Sequence, residues 1–258
     1  MKIAQISDLH FGCTFPEVVT ALRTALEDLA PDLVIASGDV TQDSTVAEFA
    51  EARAFFATLT GPVIAIPGNH DLPGFDPMRF IDPFGRYRRA IGADLEPDQR
   101  RDLVDIKCLN SARMILPHPN WANGAVSRRQ CRDIEAFYAG STTPWRMAVL
   151  HHPLVSSPEL PLEVTMFGGE RVKRVLAEQR VDLVLAGHQH HAFAEPVSHD
   201  GHTILYVNAS TATSRRLRKQ PNGFNLLRFT TDEVRVDQVR YSGSAFETFS
   251  TLVHRKSA

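Results

Sequence analysis

The sequence predicts an α/β fold whose first half forms a predominantly parallel sheet. Short apolar runs rich in β-branched residues alternate there with segments of helical periodicity. Each run is closed by Gly, Pro or His, which is typical of strands buried on both faces. The last third of the chain changes to strand-like segments separated by turn residues. Strand–helix–strand alternation favours parallel pairing, and the later pattern favours antiparallel pairing.

Five apolar runs are predicted as buried strands: 1–8, 32–38, 62–67, 145–150 and 181–186. The first has no continuous apolar stretch and no small-residue cleavage site, so it does not have the features of a signal peptide. We therefore expect a cytoplasmic location. Three later segments are also predicted as strands: 202–208, 224–230 and 234–241. The last of these alternates, which indicates an antiparallel strand with one face in water.

Four helices are predicted between the strands. Three begin at capping boxes, Thr14-x-x-Glu17, Thr45-x-x-Glu48 and Ser127-x-x-Gln130, and the fourth runs from about Gly169 to Gln179. The proline-rich stretch 72–105 has little periodicity and is predicted as an irregular excursion. We find no linker, repeat or low-complexity tract, so a single domain over 1–258 is expected.

Composition excludes several classes of protein. The 258 residues carry 28 Lys plus Arg against 30 Asp plus Glu, a formal charge of −2, whereas a nucleic-acid-coating protein has a basic excess. No apolar run approaches the roughly 18 residues of a membrane helix. Three widely spaced cysteines, Cys13, Cys108 and Cys131, form neither a disulfide framework nor a thiolate zinc cluster.

Polar side chains follow each of the five buried runs. Because strand carboxyl ends in an open α/β sheet face one crevice, we expect these side chains to meet there. Imidazole and carboxylate without thiolate suit divalent ions such as Zn, Mn, Fe or Ni. Each peptide alone is more often a turn or a hydrogen-bonded histidine, but the set together predicts a metal site. The five are Asp8-x-His10, Gly38-Asp39, Gly68-Asn69-His70-Asp71, His151-His152-Pro153 and Gly187-His188-Gln189-His190.

These five blocks, over residues 8 to 190, resemble those of the calcineurin-like metallophosphoesterases. The resemblance implies a four-layer α/β/β/α sandwich with a dinuclear metal site at the carboxyl ends of the strands. Within that superfamily, the segments Ser37–Asp43, Pro67–Asp71 and Asn222–Asn225 are most similar to class III cyclic nucleotide phosphodiesterases and related bacterial phosphodiesterases.

The resemblance also implies two ions that share one carboxylate. Asp8, His10, Asp39 and His190 would hold one ion, and Asp39, Asn69, His151 and His188 would hold the other. The family pattern His-x-Pro assigns the ligand to His151 and leaves His152 behind it. His70 would lie beside the metals as a hydrogen-bond donor or general acid. Asp43 and Asp71 could orient His70, or be ordinary turn residues.

The predicted activity is a metal-dependent phosphodiesterase that hydrolyses a small or nucleotide-like phosphodiester, with cyclic nucleotides among the candidates. A pair of divalent or transition ions, such as Mn, Fe or Zn, would lower the pKa of bound water and supply a bridging hydroxide as nucleophile. The expected partner is a small-molecule substrate, with neither nucleic-acid coating nor a membrane, and a homodimer is left open. The alternatives are a phosphomonoesterase or nucleotide pyrophosphatase on the same site, a non-catalytic scaffold, and a repair-type nuclease disfavoured by the charge balance.

Two further observations bear on the substrate. The Ser/Thr phosphatase branch of the family places an Arg shortly after the Gly-Asp block, and residues 41–44 contain none, which favours diesters. The basic segment 211–222, through Arg215, and the isolated Arg113 could contact substrate or be solvated surface residues. Phe75, His118 and Trp121 could stack on a nucleobase or simply pack.

Overall fold

A computed structural model describes residues 1–74, 76–118, 120, 122–157, 159–160 and 166–256. In chain order the strands are β1 Lys2–Ile6, β2 Leu33–Ala36, β3 Val63–Ala65, β4 Gln99–Arg100, β5 Val104–Leu109, β6 Gly124–Ala125, β7 Trp145–Leu150, β8 Met166–Phe167, β9 Leu183–Ala186, β10 Phe193–His199, β11 His202–Asn208, β12 Gly223–Phe229, β13 Glu233–Tyr241 and β14 Phe246–Arg255. The α-helices are α1 Pro16–Leu29, α2 Val46–Ala57, α3 Met78–Ile81, α4 Gly85–Ala90, α5 Arg128–Tyr138 and α6 Gly169–Glu178, and Asn69–Asp71 form one 3₁₀ turn.

The strands form two six-stranded sheets and one small pair. The first sheet has the order β14–β13–β12–β1–β2–β3, and the second has the order β10–β11–β9–β7–β5–β4. Strands β1, β2 and β3 pair in parallel, as do β5, β7, β9 and β11. The strands after β11 pair antiparallel. The predicted parallel segments are therefore split between two sheets.

The two sheets pack face to face and helices cover their outer faces. Between the sheets lies an apolar core to which both contribute, including Ile35 and Leu227 from the first and Met147 and Leu185 from the second. Helices α1 and α2 pack on the outside of the first sheet. Helices α5 and α6 pack on the outside of the second sheet. This arrangement is the four-layer α/β/β/α sandwich and confirms the fold class.

Two of the three predicted capping boxes form. The Thr45 hydroxyl accepts the Glu48 N–H at the start of α2, and Ser127 and Gln130 cap α5 in the same way. The prediction for Thr14 is wrong: Phe15 precedes the first helical residue of α1, and no side chain caps it. Thr14 is instead held extended by a bridge to Ser214, and Pro16 begins the helix because its ring favours the first helical position.

The remaining predictions can be compared directly with the structure. Residues 72–105 contain the short helices α3 and α4, the strand β4 and the start of β5. Cys13, Cys108 and Cys131 are free. Among the described residues, no helix combines the length and the hydropathy that a bilayer crossing requires.

Candidate metal centre

The turns that follow β1, β2, β3, β7 and β9 meet at one edge of the sandwich. Within the first sheet, the Asp8 N–H donates to the Gly38 carbonyl at 3.0 Å. Within the second, the Gly187 N–H donates to the His151 carbonyl at 3.0 Å. The His188 N–H donates to Asp8 Oδ2 at 2.9 Å and so joins the two sheets. The turns are therefore held together by their backbones before any ion is considered.

The first cluster consists of Asp8, His10, Asp39 and His190, whose ligand atoms all lie within 4.8 Å of one another. The His190 Nδ1–H donates to the Arg216 carbonyl at 2.6 Å, because a carbonyl can only accept. In the neutral ring, Nε2 then carries a lone pair. That atom faces Asp8 Oδ1 at 3.1 Å and His10 Nε2 at 3.1 Å. A cation bound among these three atoms would interact favourably with all of them.

The second cluster contains His151, His152 and His188, again within 4.8 Å. The His151 Nδ1–H donates to the Ser37 carbonyl at 2.9 Å, so Nε2 is the nitrogen that faces Asp39 Oδ2, 3.3 Å away. The same Asp39 oxygen lies 3.7 Å from His10 Nε2. Asp39 therefore stands between the two clusters, as a carboxylate shared by two ions would.

Unsatisfied buried atoms test whether this donor set fits two metal ions. A buried polar atom without a hydrogen bond is costly, and a bound ion would satisfy it. Two such atoms belong to proposed ligands of the second ion: Asn69 Oδ1 and His151 Nε2 have no hydrogen-bond partner among the described residues. Imidazole, carboxylate and carboxamide are suitable ligands for borderline and hard divalent ions. The residues fit a dinuclear centre, and we propose the seven ligands that the sequence predicts.

Burial and charge favour uncharged His10 and His188 rings and ionised Asp8 and Asp39 carboxylates, which are the forms that bind metal ions. Burial lowers the pKa of His10 and of His188 to about 3, so both rings are neutral. Burial alone would raise the pKa of Asp8 and of Asp39, but His190 and His151 respectively outweigh it and hold both well below the ordinary carboxyl range. Burial opposes a charge on His151 too, yet Asp39 raises the pKa of that ring to about 9. The carboxylate that attracts a proton to His151 Nε2 would equally attract a metal ion.

His70 lies against the first cluster and is held at both ring nitrogens. Its ring centroid is 4.8 Å from that of His10, and its backbone N–H donates to Asp39 Oδ1 at 2.8 Å. The Nδ1–H donates to the Gln42 carbonyl at 2.7 Å. Nε2 contacts Arg216 Nη1 at 2.6 Å. The role of His70 as a proton donor stays a prediction.

Asp71 and Asp43 do not contact the His70 ring. Asp71 is fully buried and accepts the backbone N–H groups of Val40, Thr41 and Gly68 at 2.9–3.1 Å. Burial, and then Asp39, raise the pKa of Asp71 to about 6. Asp43 is exposed, and its N–H donates to Glu48. Asp71 thus joins the turn after β2 to the turn after β3, and the Gln42 carbonyl orients His70.

Two further candidate residues, His152 and Arg113, have different surroundings. His152 lies near, with its ring centroid 4.7 Å from that of His188 and its Nδ1 2.8 Å from Ser111 Oγ; burial holds its pKa well below the ordinary range. Arg113 bonds to the Asn110 and Ala112 carbonyls and to Gln130, none of which is a proposed ligand.

The aromatic and basic candidates are likewise placed by their contacts. Arg215 donates to the Thr14 carbonyl and lies over Phe15. His118 packs near Phe167, and Phe75 and Trp121 fall outside the described residues. In the basic segment 211–222, Arg216 rather than Arg215 reaches the centre. Sequence reasoning singled out the segment, but nothing in the sequence indicated which arginine points inward.

Comparisons with known proteins agree with this geometry. A family model described as calcineurin-like phosphoesterase matches residues 1–192. The chain is 27% identical over 206 residues to the "Probable cyclic nucleotide phosphodiesterase syc0937_d" of Synechococcus sp., covering 76% of this chain and 75% of that protein. It is 26% identical over 206 residues to the 3′,5′-cyclic adenosine monophosphate phosphodiesterase CpdA of Escherichia coli K12, covering 74% and 70%.

A solved structure shares the fold over nearly the whole chain. A purple acid phosphatase from yellow lupin seeds superposes with a TM-score of 0.75 at 13% identity, over 98% of this chain. The superposed region is 53% of that protein, so this chain spans about half its length. The likeness concerns the fold alone.

Proposed function

The chain belongs to the calcineurin-like phosphoesterase family and is a hydrolytic phosphoesterase; from this premise we propose that it is a metal-dependent phosphodiesterase acting on a small, nucleotide-like phosphodiester. One observation carries the proposal: Asp39 stands between two clusters of buried ligand atoms. Two divalent ions with two carboxylates leave a net charge of about +2, which suits a phosphate ester in a site of this kind.

The ligand set would divide around Asp39. Asp8, His10 and His190 would hold one ion with it, and Asn69, His151 and His188 would hold the other. When bound, such ions polarise a phosphoryl oxygen and acidify water near neutral pH. His152 stays behind the second group, because its neighbour His151 is the ring that faces Asp39.

The chain's own residues prepare the site for this chemistry. Backbone carbonyls of Ser37 and Arg216 fix the tautomers of His151 and His190, so that each ring turns Nε2 inward. Asp71 joins the turns that carry Asp39 and Asn69. His70 lies at the edge of the first cluster, with its ring centroid 4.8 Å from that of His10.

The proposed substrate class rests on the names of the relatives. Both curated relatives described above are named as phosphodiesterases of cyclic nucleotides. A cyclic nucleotide carries one negative charge at its phosphate and is therefore well matched to a weakly positive site.

A substrate panel tests the proposal. Purified protein loaded with Mn²⁺ is assayed with bis(p-nitrophenyl) phosphate, p-nitrophenyl phosphate, 3′,5′-cyclic AMP and 2′,3′-cyclic AMP, with metal content measured in parallel. We expect two metal ions per chain and turnover of diesters above that of the monoester. Faster turnover of p-nitrophenyl phosphate would support the phosphomonoesterase alternative, and an inactive metal-loaded protein would contradict both.

A further inference from the structure

The Arg216 side chain lies beside the proposed metal centre, in contact with His70. It is half-buried, and its Nη1 lies 2.6 Å from His70 Nε2 and 3.4 Å from Gln42 Oε1. Within the part of the chain that the structure describes, Arg216 forms no ion pair. A guanidinium keeps its charge in proteins and has five N–H donors. The site therefore holds a permanent cation most of whose donors bond to no described residue.

The hydrogen bonds of His70 fix which atom carries its proton. The Gln42 carbonyl can only accept, so His70 Nδ1 donates to it. The Arg216 guanidinium can only donate, so His70 Nε2 accepts from it. The nitrogen nearest Arg216 is thus the acceptor in this arrangement. In this state His70 holds the guanidinium in place rather than offering a proton to a substrate.

The backbone of Arg216 is also fixed. Its carbonyl accepts from His190 Nδ1 at 2.6 Å, and its N–H donates to Ser214 Oγ at 3.1 Å. Asn222 Nδ2 donates to the Ser214 carbonyl at 2.9 Å, which secures the turn from below. The side chain therefore starts from a point tied to a proposed ligand of the first ion. Its approach to the phosphoryl site is preorganised.

We propose that Arg216 is a substrate-binding residue that donates hydrogen bonds to the phosphoryl oxygens beside the metal centre, and that His70 acts through it as a positioning residue. This inference rests on the proposed function and assigns to Arg216 the binding of the phosphoryl group. Arg216 remains protonated throughout and transfers nothing; it neutralises charge on the phosphoryl group. Guanidinium binds phosphate in a two-pronged geometry that an ammonium cannot match.

The Arg216 guanidinium should also affect which phosphate esters the protein prefers. The absence of an arginine in residues 41–44 favoured diesters, but the fold supplies a guanidinium at the same centre from residue 216. A dianionic monoester gains more from this cation than a monoanionic diester does. Removing Arg216 should therefore lower turnover of p-nitrophenyl phosphate more than turnover of bis(p-nitrophenyl) phosphate.

The first test measures binding of inorganic phosphate to the metal-loaded full-length protein by calorimetry. We expect Arg216→Ala to weaken phosphate binding by about 10- to 100-fold, the loss of charged hydrogen bonds, and Arg216→Lys to lie between this variant and the wild type. The matched control is Arg218→Ala, an exposed arginine of the same loop without a hydrogen bond to any described residue, for which we expect wild-type affinity. Equal affinities for wild type and Arg216→Ala would overturn the proposal, as would loss of bound metal in Arg216→Ala.

The second test asks whether His70 acts through Arg216. If it does, the double variant His70→Ala/Arg216→Ala should bind phosphate no more weakly than Arg216→Ala, because coupled residues are not additive. In the metal-free wild type, the ¹⁵N resonance of His70 Nε2 should be that of an unprotonated acceptor and should shift in Arg216→Ala. Additive losses in the double variant, or a protonated Nε2 in the wild type, would overturn the positioning role. These readouts need no turnover, so they remain decisive even if no phosphate ester proves to be a substrate.

Discussion

Five of the seven proposed ligands have left-handed backbone conformations. The φ angles of Asp8, His10, Asp39, His188 and His190 lie between 49° and 67°. A residue with a side chain pays about 1–2 kcal/mol for this region, and such strain concentrates at functional sites. The other non-glycine residues of this kind are spread singly elsewhere in the described chain. The fold thus bends the backbone after three strands so that side chains turn inward to one point.

Asn69 and His188 test the second ion site directly. Replacing either with Ala removes one neutral ligand of the proposed ion and leaves the turns otherwise in place. We expect kcat toward bis(p-nitrophenyl) phosphate to fall by at least about 100-fold, with an unchanged circular dichroism spectrum. Asn120→Ala is the control, because Asn120 is exposed and its side chain accepts the Ala122 N–H of its own loop. Near wild-type turnover in either ligand variant would contradict the assignment.

His70 should affect the reaction without affecting the metals. Because its ring bonds Gln42 and Arg216 and is not among the proposed ligands, His70→Ala is expected to lower kcat by about 10- to 1,000-fold with two ions retained. Turnover and metal content are measured on the same preparation. Loss of an ion from this variant would mean that the ring is a ligand.

Local sequence patterns predicted the strands well where the residues of a strand are mainly apolar. The strands β2 and β9 are continuous apolar runs, β7 is apolar except for Arg146, and all three lie close to their predicted bounds. Strand β5 went unpredicted although every residue of it is buried, because Asp105 and Lys107 interrupt its apolar run. Both charges are paired with partners from the preceding segment, Arg100 and Asp98. Such compensation depends on tertiary contacts that periodicity does not reveal.

In the proposed metal centre too, the sequence predicted what the strand pattern determines and missed what depends on tertiary contacts. Its ligands could be predicted because strand ends converge whatever the details of the loops. The orientation of Arg216 could not, since it depends on the turn from Thr211 to Ser214 and on the side chain of Asn222. Adjacent arginines in an irregular segment point in directions that only the folded backbone decides. Arg215 and Arg216 accordingly have unrelated partners.

The turn after β2 depends on a glycine for two reasons. Gly38 has φ +101°, and a Cβ there would overlap the His151 ring. We expect Gly38→Ala to lower the free energy of unfolding by more than about 2 kcal/mol and kcat by about 100-fold, because a proposed ligand must move. Gly140→Ala is the matched control, since Gly140 has φ +75° with open space around its Cβ position. It should lose only about 1 kcal/mol in urea unfolding and no activity; similar losses in both would show that strain alone is responsible.

The two sheets are joined beneath the proposed metal centre by a buried polar network. Gln5 on β1 donates to Ser37 Oγ at 3.2 Å and to the Ala186 carbonyl at the end of β9 at 2.8 Å. Asn225 on β12 donates to Gln5 Oε1 at 2.9 Å and to the Asn208 carbonyl at the end of β11 at 3.1 Å. With the apolar core between the sheets, this network supports our proposal that 1–258 form one domain. Four of the proposed ligands follow strands of the first sheet and three follow strands of the second, so this junction fixes the distance between the two sets.

Gln5→Ala tests whether that junction holds the site together. The substitution leaves the Ala186 carbonyl and Asn225 Nδ2 each without one partner and opens a cavity at a fully buried position, so we expect a loss of about 2–4 kcal/mol in the free energy of unfolding. Urea unfolding measures it, with Gln238→Ala on β13 as the control. Among the described residues the half-buried Gln238 side chain bonds Ser250 in the neighbouring strand alone, and its loss should change stability by about 0.5 kcal/mol. Because β1 and β9 lead into Asp8 and His188, Gln5→Ala should also reduce kcat under conditions in which the protein is fully folded. If the variant is destabilised but keeps wild-type kcat, the network stabilises the sandwich without positioning the ligands.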